Sequence, residues 1–87
     1  MKVSFSDKAE KEFLKLDKPI QKQIQTFISK LIELENPRSQ GKALVGNLLG
    51  FWRYRVGDYR LLCKIIDEEL LIIVVEVGHK KDVYDTK

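Results

Sequence analysis

Three arginines lie close together in the segment FWRYRVGDYRLL, which runs from Phe51 to Leu62. Arg53 and Arg55 precede a Gly-Asp pair, Arg60 follows it, and aromatic residues are interleaved with them. A charged side chain is costly to bury without a partner, and a guanidinium group can bind a phosphate through two parallel hydrogen bonds. The segment therefore points to a binding site for a phosphate-bearing ligand.

A second group of reactive side chains stands near the end of the chain, in GHKKDVY. His79 is the only histidine, and histidine is the side chain that ordinarily titrates near neutrality. Lys80, Lys81 and Tyr84 follow within five positions. This segment is either a solvated tail or, if the last strand returns to the arginine-bearing strands, a part of the same site.

Several other chemistries lack the residues that they need. One histidine and one cysteine, without clustered carboxylates, predict no metal site, and we expect no cofactor because neither GxxxxGK[ST] nor GxGxxG occurs. Cys63 lies in an apolar run and not in a nucleophile motif. Cations with one or two proton-transfer groups suit metal-independent RNA cleavage, in which the 2′-OH attacks its own phosphate and cations stabilise the transition state.

Charge is distributed unevenly along the chain of 87 residues, whose net charge is +3. The segment 38–64 alone holds six cations and one anion, and so carries +5. It is either a solvated basic surface or a concentrated anion site, with RNA or DNA as the polyanion. The length predicts one domain, 1–87. The single cysteine and the charged first residues predict a reducing cytoplasm, and the apolar run Leu70–Val75 is too short to cross a membrane.

The hydrophobic pattern predicts two helices in the first half of the chain. After a short strand at Lys2–Phe5, Ser6 or Asp7 can cap a first helix, with Glu10 completing a capping box with Asp7. The sequence Asp17-Lys18-Pro19 ends that helix and starts a second. Apolar residues at helical spacing continue the second helix until Asn36-Pro37 stops it.

The second half reads as a loop and three strands. The loop 38–50 is rich in glycine and polar residues, and the strands are predicted at Phe51–Val56, Tyr59–Ile66 and Leu70–Val77. The short gaps between them suit hairpins. This order predicts an α+β domain in which the N-terminal strand and the helical hairpin pack on one face of a largely antiparallel sheet.

A two-residue turn at Gly57-Asp58 would fix the faces of the hairpin. Arg55 would stand opposite Arg60, and the two would share a face with Arg53. The helices would cover the other face, which is formed by Trp52, Tyr54, Val56, Tyr59, Leu61 and Cys63. Like charges directly opposite each other are destabilising, so the arginines need either carboxylate partners, such as Glu76 or Asp82, or an anionic ligand.

Taken together, these segments resemble the RelE family of toxins within the RelE/ParE superfamily of toxin–antitoxin systems. The resemblance covers nearly the whole chain in order: the helical hairpin, ALVGNLLG, WRYRVGDYRLL, the acidic turn IIDEEL and VVEVGHKKDVY. The combination of R-x-R-V-G-x-Y-R with V-G-H-K-x-x-V-Y is specific, whereas either piece alone is weak. Members of this family are small, ribosome-dependent mRNA endonucleases that a cognate antitoxin silences.

The resemblance also implies roles for individual residues. Arg53 and Arg55 match two basic positions before the hairpin, and Arg60 matches a phosphate-binding arginine. Lys80 matches a basic residue that stabilises the transition state or the leaving group, and Tyr84 matches a tyrosine that stacks on a base or orients the 2′-OH. Relatives with GH[RK] use the residue that matches His79 in proton transfer. The candidate catalytic residues are therefore Arg53, Arg55, Arg60, His79, Lys80 and Tyr84, and the candidate RNA-binding residues are Arg53, Arg55, Arg60, Lys64 and Lys81.

This chain departs from the family pattern at two points. Some members have lysines where this chain has Arg53 and Arg55, and arginine cannot be deprotonated in a protein. These two residues are therefore expected to act electrostatically, which makes His79 the better base. Lys80 stands where many relatives have arginine, and a lysine cannot bind a phosphate through the same two-pronged geometry.

Three functions compete. The first is an mRNA endonuclease that acts in the A site of the 30S subunit and is held in a hetero-oligomer by a RelB-like antitoxin with an acidic toxin-binding segment. The second is a ParE-like inhibitor that binds DNA gyrase without catalysis, and the third is a degenerate member that only binds its partner. His79, Lys80 and Tyr84 together with the arginine face favour the first.

Overall fold

The computed structural model describes residues 1–80. Their order is a strand, two helices and then four strands: β1 (Lys2–Phe5), α1 (Asp7–Leu14), α2 (Lys18–Glu33), β2 (Lys42–Ala43), β3 (Trp52–Val56), β4 (Tyr59–Ile66) and β5 (Leu71–His79). The strands form one sheet in the order β1-β5-β4-β3-β2. Only β1 and β5 run parallel, so the predicted α+β fold with a largely antiparallel sheet is confirmed.

The helices begin close to where the sequence places them, with two differences. Ser6 caps α1 by accepting a hydrogen bond from the backbone N–H of Ala9 at 3.1 Å. Because Ser6 is the cap, the capping box predicted between Asp7 and Glu10 does not form. The second helix ends at Glu33 and not at Asn36-Pro37, since the cap residue Leu34 already has extended backbone.

Both helices lie on one face of the sheet and enclose the main core with it. The fully buried side chains of this core come from both layers: Ala9, Ile24, Leu31, Tyr54, Leu61, Cys63, Ile72 and Val74. Burying these apolar groups supplies most of the free energy that holds the two layers together. Of the six residues predicted for the covered face of β3 and β4, Tyr54, Val56, Leu61 and Cys63 lie in this core and Trp52 packs against it. Tyr59 is not part of the core and packs against the His79 ring instead.

The first helix also covers part of a sheet edge. β1 pairs with β5 only as far as Val74, and beyond that point the N–H of Val77 donates to Oε1 of Glu12 at 2.8 Å. A side chain thus takes the place of a strand, which blunts an edge that could otherwise pair with another chain.

The loop 38–50 contains a strand that the sequence does not predict, the two-residue β2. Three side chains hold the start of this loop. The Tyr54 hydroxyl donates to the carbonyl of Pro37 at 2.7 Å, and the Trp52 ring N–H donates to the carbonyl of Gln40 at 2.8 Å. Arg38 donates two hydrogen bonds to Asp67, at 2.9 and 3.0 Å. These contacts join residues that are distant in the sequence, so no local sequence pattern predicts them.

Candidate nucleic-acid interface

The hairpin between β3 and β4 positions the arginines. Its register pairs Val56 with Tyr59 and Arg55 with Arg60, as the sequence predicts. Gly57 has φ of +59° at the first central position of the turn, where the tight type II′ hairpin turn requires a glycine. This turn keeps the strands in register, and the alternation of side chains then separates apolar from basic residues.

The arginines occupy the sheet face that the helices do not cover, which we call the far face. Arg53 stands opposite Leu62, and Arg60 stands between Arg55 on β3 and Gly78 on β5. Arg55 is exposed, and Arg53 and Arg60 are half-buried. Because Gly78 has no side chain, no side chain of β5 stands directly opposite Arg60.

The nearby carboxylates bear on whether the arginines are satisfied by ion pairs within the protein. Oε1 of Glu76 lies 3.1 Å from Nζ of Lys8, so a lysine of α1 engages one of the two acids predicted as alternative partners. Asp82, the other one, lies outside the described residues. Within residues 1–80, no carboxylate pairs with Arg55.

The far face also carries an apolar cluster that the sequence does not predict. Leu44 and Leu62 are buried there, with Leu48, Phe51 and Val75 packed around them. The loop reaches the far face because its apolar run ALVGNLLG needs a surface to cover, and this run is the one sequence signal that could have indicated the cluster. The arginines therefore lie next to this apolar cluster, and the far face is not uniformly polar.

Lys64 extends the basic surface along β4. It is exposed, and its Nζ lies 5.8 Å from the centre of the Phe51 ring, a distance at which the ring attracts a cation. Alternation along the strand gives Lys64 the same face as Arg60 and Leu62. The predicted RNA-binding positions Arg53, Arg55, Arg60 and Lys64 thus share one face.

The end of β5 returns to the start of β4, as the sequence predicts, and the register there assigns the faces. Gly78 pairs with Arg60, and His79 pairs with Tyr59. The His79 ring packs edge-on against the Tyr59 ring, with centroids 5.5 Å apart. Since directly opposed residues share a face, His79 lies on the side of Tyr59 and Leu61, and the arginines lie on the other side.

Lys80 directly follows β5 and lies beside the turn between β3 and β4. Its backbone N–H donates to the carbonyl of Asp58 at 2.8 Å, and its Nζ lies 3.8 Å from Oδ1 of Asp58. Asp58 precedes Tyr59 and Arg60 in the chain, so Lys80 is held at the Arg60 end of the sheet. Lys81 and Tyr84, two further predicted site residues, lie outside the described residues.

Cys63 takes no part in the site. Its side chain is fully buried in the core between the sheet and the helices, and burial raises the pKa of its thiol to about 12. A thiol with so high a pKa carries almost no thiolate at neutral pH and is a poor nucleophile. The prediction that Cys63 is a core residue is confirmed.

The family model that matches the chain describes the ParE toxin of the type II toxin–antitoxin system parDE, and the match covers residues 3–84. The chain belongs to the RelE/ParE superfamily of toxins. It is therefore a toxin of a type II toxin–antitoxin system.

Relatives of this toxin match over most of their length. The chain is 37% identical to a RelE-like toxin protein of Escherichia coli over 86 residues, which covers 95% of this chain and 88% of that protein. It is 32% identical to the mRNA interferase toxin RelE of Escherichia coli K12 over 81 residues, with 91% and 82% covered.

Among solved structures, the toxin resembles a chain of the toxin–antitoxin complex RelBE2 from Mycobacterium tuberculosis. The two align with a TM-score of 0.82 at 32% identity, over 93% of this chain and 92% of that chain. Two helices packed on one face of a five-stranded mixed sheet are thus the fold of a RelE toxin. Neither helix in residues 1–80 of the toxin has the length and apolar character needed to span a membrane.

Proposed function

We propose that this toxin is a ribosome-dependent mRNA endonuclease that cuts messages in the A site of the 30S subunit and so inhibits translation. Its similarity to the mRNA interferase toxin RelE supports this activity. The observation that carries the proposal is the far face, where Arg55 and Arg60 stand directly opposite each other. Such a pair opposes folding, and a phosphate bound between the two guanidinium groups would offset that cost.

In the proposed reaction, the 2′-OH of the message attacks the adjacent phosphorus, and the bond to the 5′-oxygen of the next nucleotide breaks. The proton of the 2′-OH goes to a base, and the departing 5′-oxygen receives a proton from an acid. Arg53, Arg55 and Arg60 bind the phosphate and stabilise its additional negative charge. Lys80, held at the same end of the sheet, stabilises the negative charge that develops on the leaving 5′-oxygen. Tyr84 is proposed to stack on a base or orient the 2′-OH, and Lys81 to bind RNA.

His79 is the proposed base, and its position makes a specific demand on the substrate. Its ring lies on the Tyr59 side of the sheet, while the phosphate site lies on the far face. The message must therefore cross the end of the sheet next to Gly78 for the imidazole to reach a 2′-OH. The ribosome, which holds the message in a fixed path, would supply this alignment.

The proposed partner in the resting cell is a RelB-like antitoxin with an acidic toxin-binding segment. The similar chain from Mycobacterium tuberculosis was solved as part of a toxin–antitoxin complex, RelBE2. Here the basic segment 38–64 includes the far-face cations and carries +5, so an acidic segment laid over this face would cover the phosphate site. The complex would then be a hetero-oligomer without nuclease activity, located in the cytoplasm.

Primer extension on a translated message after induction of the toxin tests the activity. We expect discrete cuts within codons, and we expect none when translation initiation on that message is blocked. An Arg55→Ala/Arg60→Ala double variant, expressed to the same level, is the matched control and should leave the message intact. Uncut messages in arrested cells that contain the wild-type toxin would contradict the proposal.

The alternative function is inhibition of DNA gyrase, which the matching ParE family model favours. A gyrase inhibitor needs a protein-binding surface but no proton-transfer groups. This alternative function predicts intact messages, altered plasmid supercoiling after induction, and inhibition of purified gyrase by the purified toxin. The same induced cultures can be assayed for both outcomes, so a single experiment separates the two functions.

A further inference from the structure

We infer that Asp58 is a positioning residue for cleavage, which acts by holding Lys80 next to the phosphate site. This inference rests on the proposed endonuclease function. The turn residue Asp58 binds Lys80 twice, through its carbonyl at 2.8 Å and through its carboxylate at 3.8 Å. Asp58 is the only acid between Arg38 and Lys64.

The charge of Asp58 is unexpected at this place if the turn only binds RNA. A carboxylate beside a phosphate track repels the phosphates and weakens binding. The turn geometry does not require it either, because asparagine is at least as suitable as aspartate in tight hairpin turns. A positioning role for the carboxylate accounts for its presence, since an ammonium group on a flexible side chain needs a partner to hold it in one place.

The location of the pair links it to the proposed chemistry. Asp58, Tyr59 and Arg60 are consecutive, and on the neighbouring strand Gly78, His79 and Lys80 run alongside them in the opposite direction. Arg60 faces Gly78, so no intervening side chain on β5 stands at that position. The hydrogen bond from the Lys80 backbone N–H to the Asp58 carbonyl fixes the position of the Lys80 backbone at the end of β5. The Asp58 carboxylate then attracts the Lys80 ammonium group towards the turn.

The ion pair is exposed, with the Lys80 side chain 47% and the Asp58 side chain 73% accessible. Exposed pairs contribute little to folding stability, so removal of the carboxylate should leave the fold unchanged. Its effect should instead appear in the reaction, because a small displacement of a charged group from the reacting phosphate slows the chemical step.

The test is single-turnover cleavage of a message on programmed ribosomes, with wild-type toxin, Asp58→Asn, Lys80→Ala and the double variant. For Asp58→Asn we expect the maximal rate to fall by about 2- to 5-fold, because an exposed ion pair can favour one position of the lysine only by such a factor, while the half-saturating toxin concentration stays constant or decreases. In the Lys80→Ala background, Asp58→Asn should have no further effect on the rate. An unchanged rate in Asp58→Asn, or losses that multiply in the double variant, would overturn the inference.

Two further measurements keep the outcome decisive. Asp58→Glu retains a carboxylate, so it should keep most of the rate; an equal loss in Asp58→Glu and Asp58→Asn would exclude a role for the carboxylate. If the wild-type toxin cuts no message, the endonuclease proposal fails, and ¹⁵N NMR of the Lys80 ammonium group then decides the pairing alone. Its signal should move towards those of isolated lysines in Asp58→Asn, and an unchanged signal would refute the positioning role.

Discussion

Arg55 and Arg60 face each other across the hairpin, whereas their neighbours Trp52 and Tyr54 point into the core. This alternation predicts that binding and folding can be separated by substitution. Arg60→Ala should slow cleavage by about 100- to 1000-fold, the usual cost of removing a group that stabilises transition-state charge. It should leave the toxin folded, because Arg60 lies on the far face and takes no part in the main core. Urea denaturation and the ribosomal cleavage assay measure the two effects.

Trp52→Ala is the matched control for that prediction. The Trp52 ring packs against the core and its N–H donates to the Gln40 carbonyl, so the variant should lose about 3 kcal/mol, the low end for a large core residue, because the ring is half-buried. If Arg60→Ala unfolded the toxin and Trp52→Ala did not, the assignment of the two faces would be wrong.

The His79 ring contacts Tyr59 and is also the proposed base, so substitutions must separate a packing role from a proton-transfer role. His79→Ala should lower the cleavage rate by about 100- to 10,000-fold, the range for loss of a general acid or base. His79→Phe keeps a ring against Tyr59 but cannot transfer a proton, so it should be equally slow. A His79→Phe variant as fast as the wild type would show that the ring only packs.

Among the connecting elements, the loop before β3 depends on one glycine. Gly41 has φ of +82°, and a Cβ at this position would overlap the Trp52 ring N–H and the Arg53 carbonyl. Gly50 has φ of +96° but has no atom within 4 Å of such a Cβ. Both alanine variants bear the backbone cost of about 1–2 kcal/mol, and Gly41→Ala should lose a further 1–3 kcal/mol or so from overpacking. Equal unfolding free energies for the two variants would contradict this packing.

The same loop is tied to the β4–β5 connection by Arg38 and Asp67, which form two hydrogen bonds of 2.9 and 3.0 Å. The hydrogen bonds from the guanidinium of Arg38 lower the pKa of the Asp67 carboxyl. The stabilisation is therefore complete above the ordinary aspartate pKa and disappears as the pH falls through the lowered value. The difference in unfolding free energy between wild type and Asp67→Asn should be small, since the pair is exposed, and should vanish in acid. A difference that grew in acid would contradict the assignment.

For the whole molecule, the basic far face predicts how the antitoxin and the message compete. A purified complex with the antitoxin should not cut messages on ribosomes, and proteolysis of the antitoxin should restore cleavage. Binding of the toxin to an acidic antitoxin peptide should weaken as salt is raised, because exposed charges are screened. Arg55→Ala should weaken it further, whereas Lys18→Ala, on α2, should not. A complex that cuts at the rate of the free toxin would contradict the proposed masking.

The proposed mechanism makes a further prediction for the assembled reaction. A single 2′-deoxy substitution at the cut site should abolish cleavage with little loss of binding, because the phosphate contacts persist. The upstream product should end in a 2′,3′-cyclic phosphate or a 3′-phosphate, and the downstream product should begin with a 5′-hydroxyl. A 5′-phosphate on the downstream fragment would exclude attack by the 2′-OH, even if the toxin proved to be a nuclease.

Elements whose signals are local can be predicted from the amino-acid sequence. The alternation in WRYRV and YRLL, with a glycine suited to a two-residue turn between them, predicts the register that sets Arg55 against Arg60. The helical spacing of apolar residues likewise predicts the two helices and the face that they cover. These features follow from side-chain period and turn chemistry, which act over a few residues.

Features that depend on contacts between distant residues are visible only in the folded protein. The loop 38–50 is predicted to be irregular, yet Leu44 and Leu48 cover Leu62 on the far face, and Lys42 and Ala43 form an edge strand. The face of His79 depends on a bulge in β5, where Cys63 pairs with Val74 and Leu62 with Glu76. One residue more or less in a strand moves all later side chains to the opposite face, so only the folded sheet shows that His79 and Arg60 lie on opposite sides.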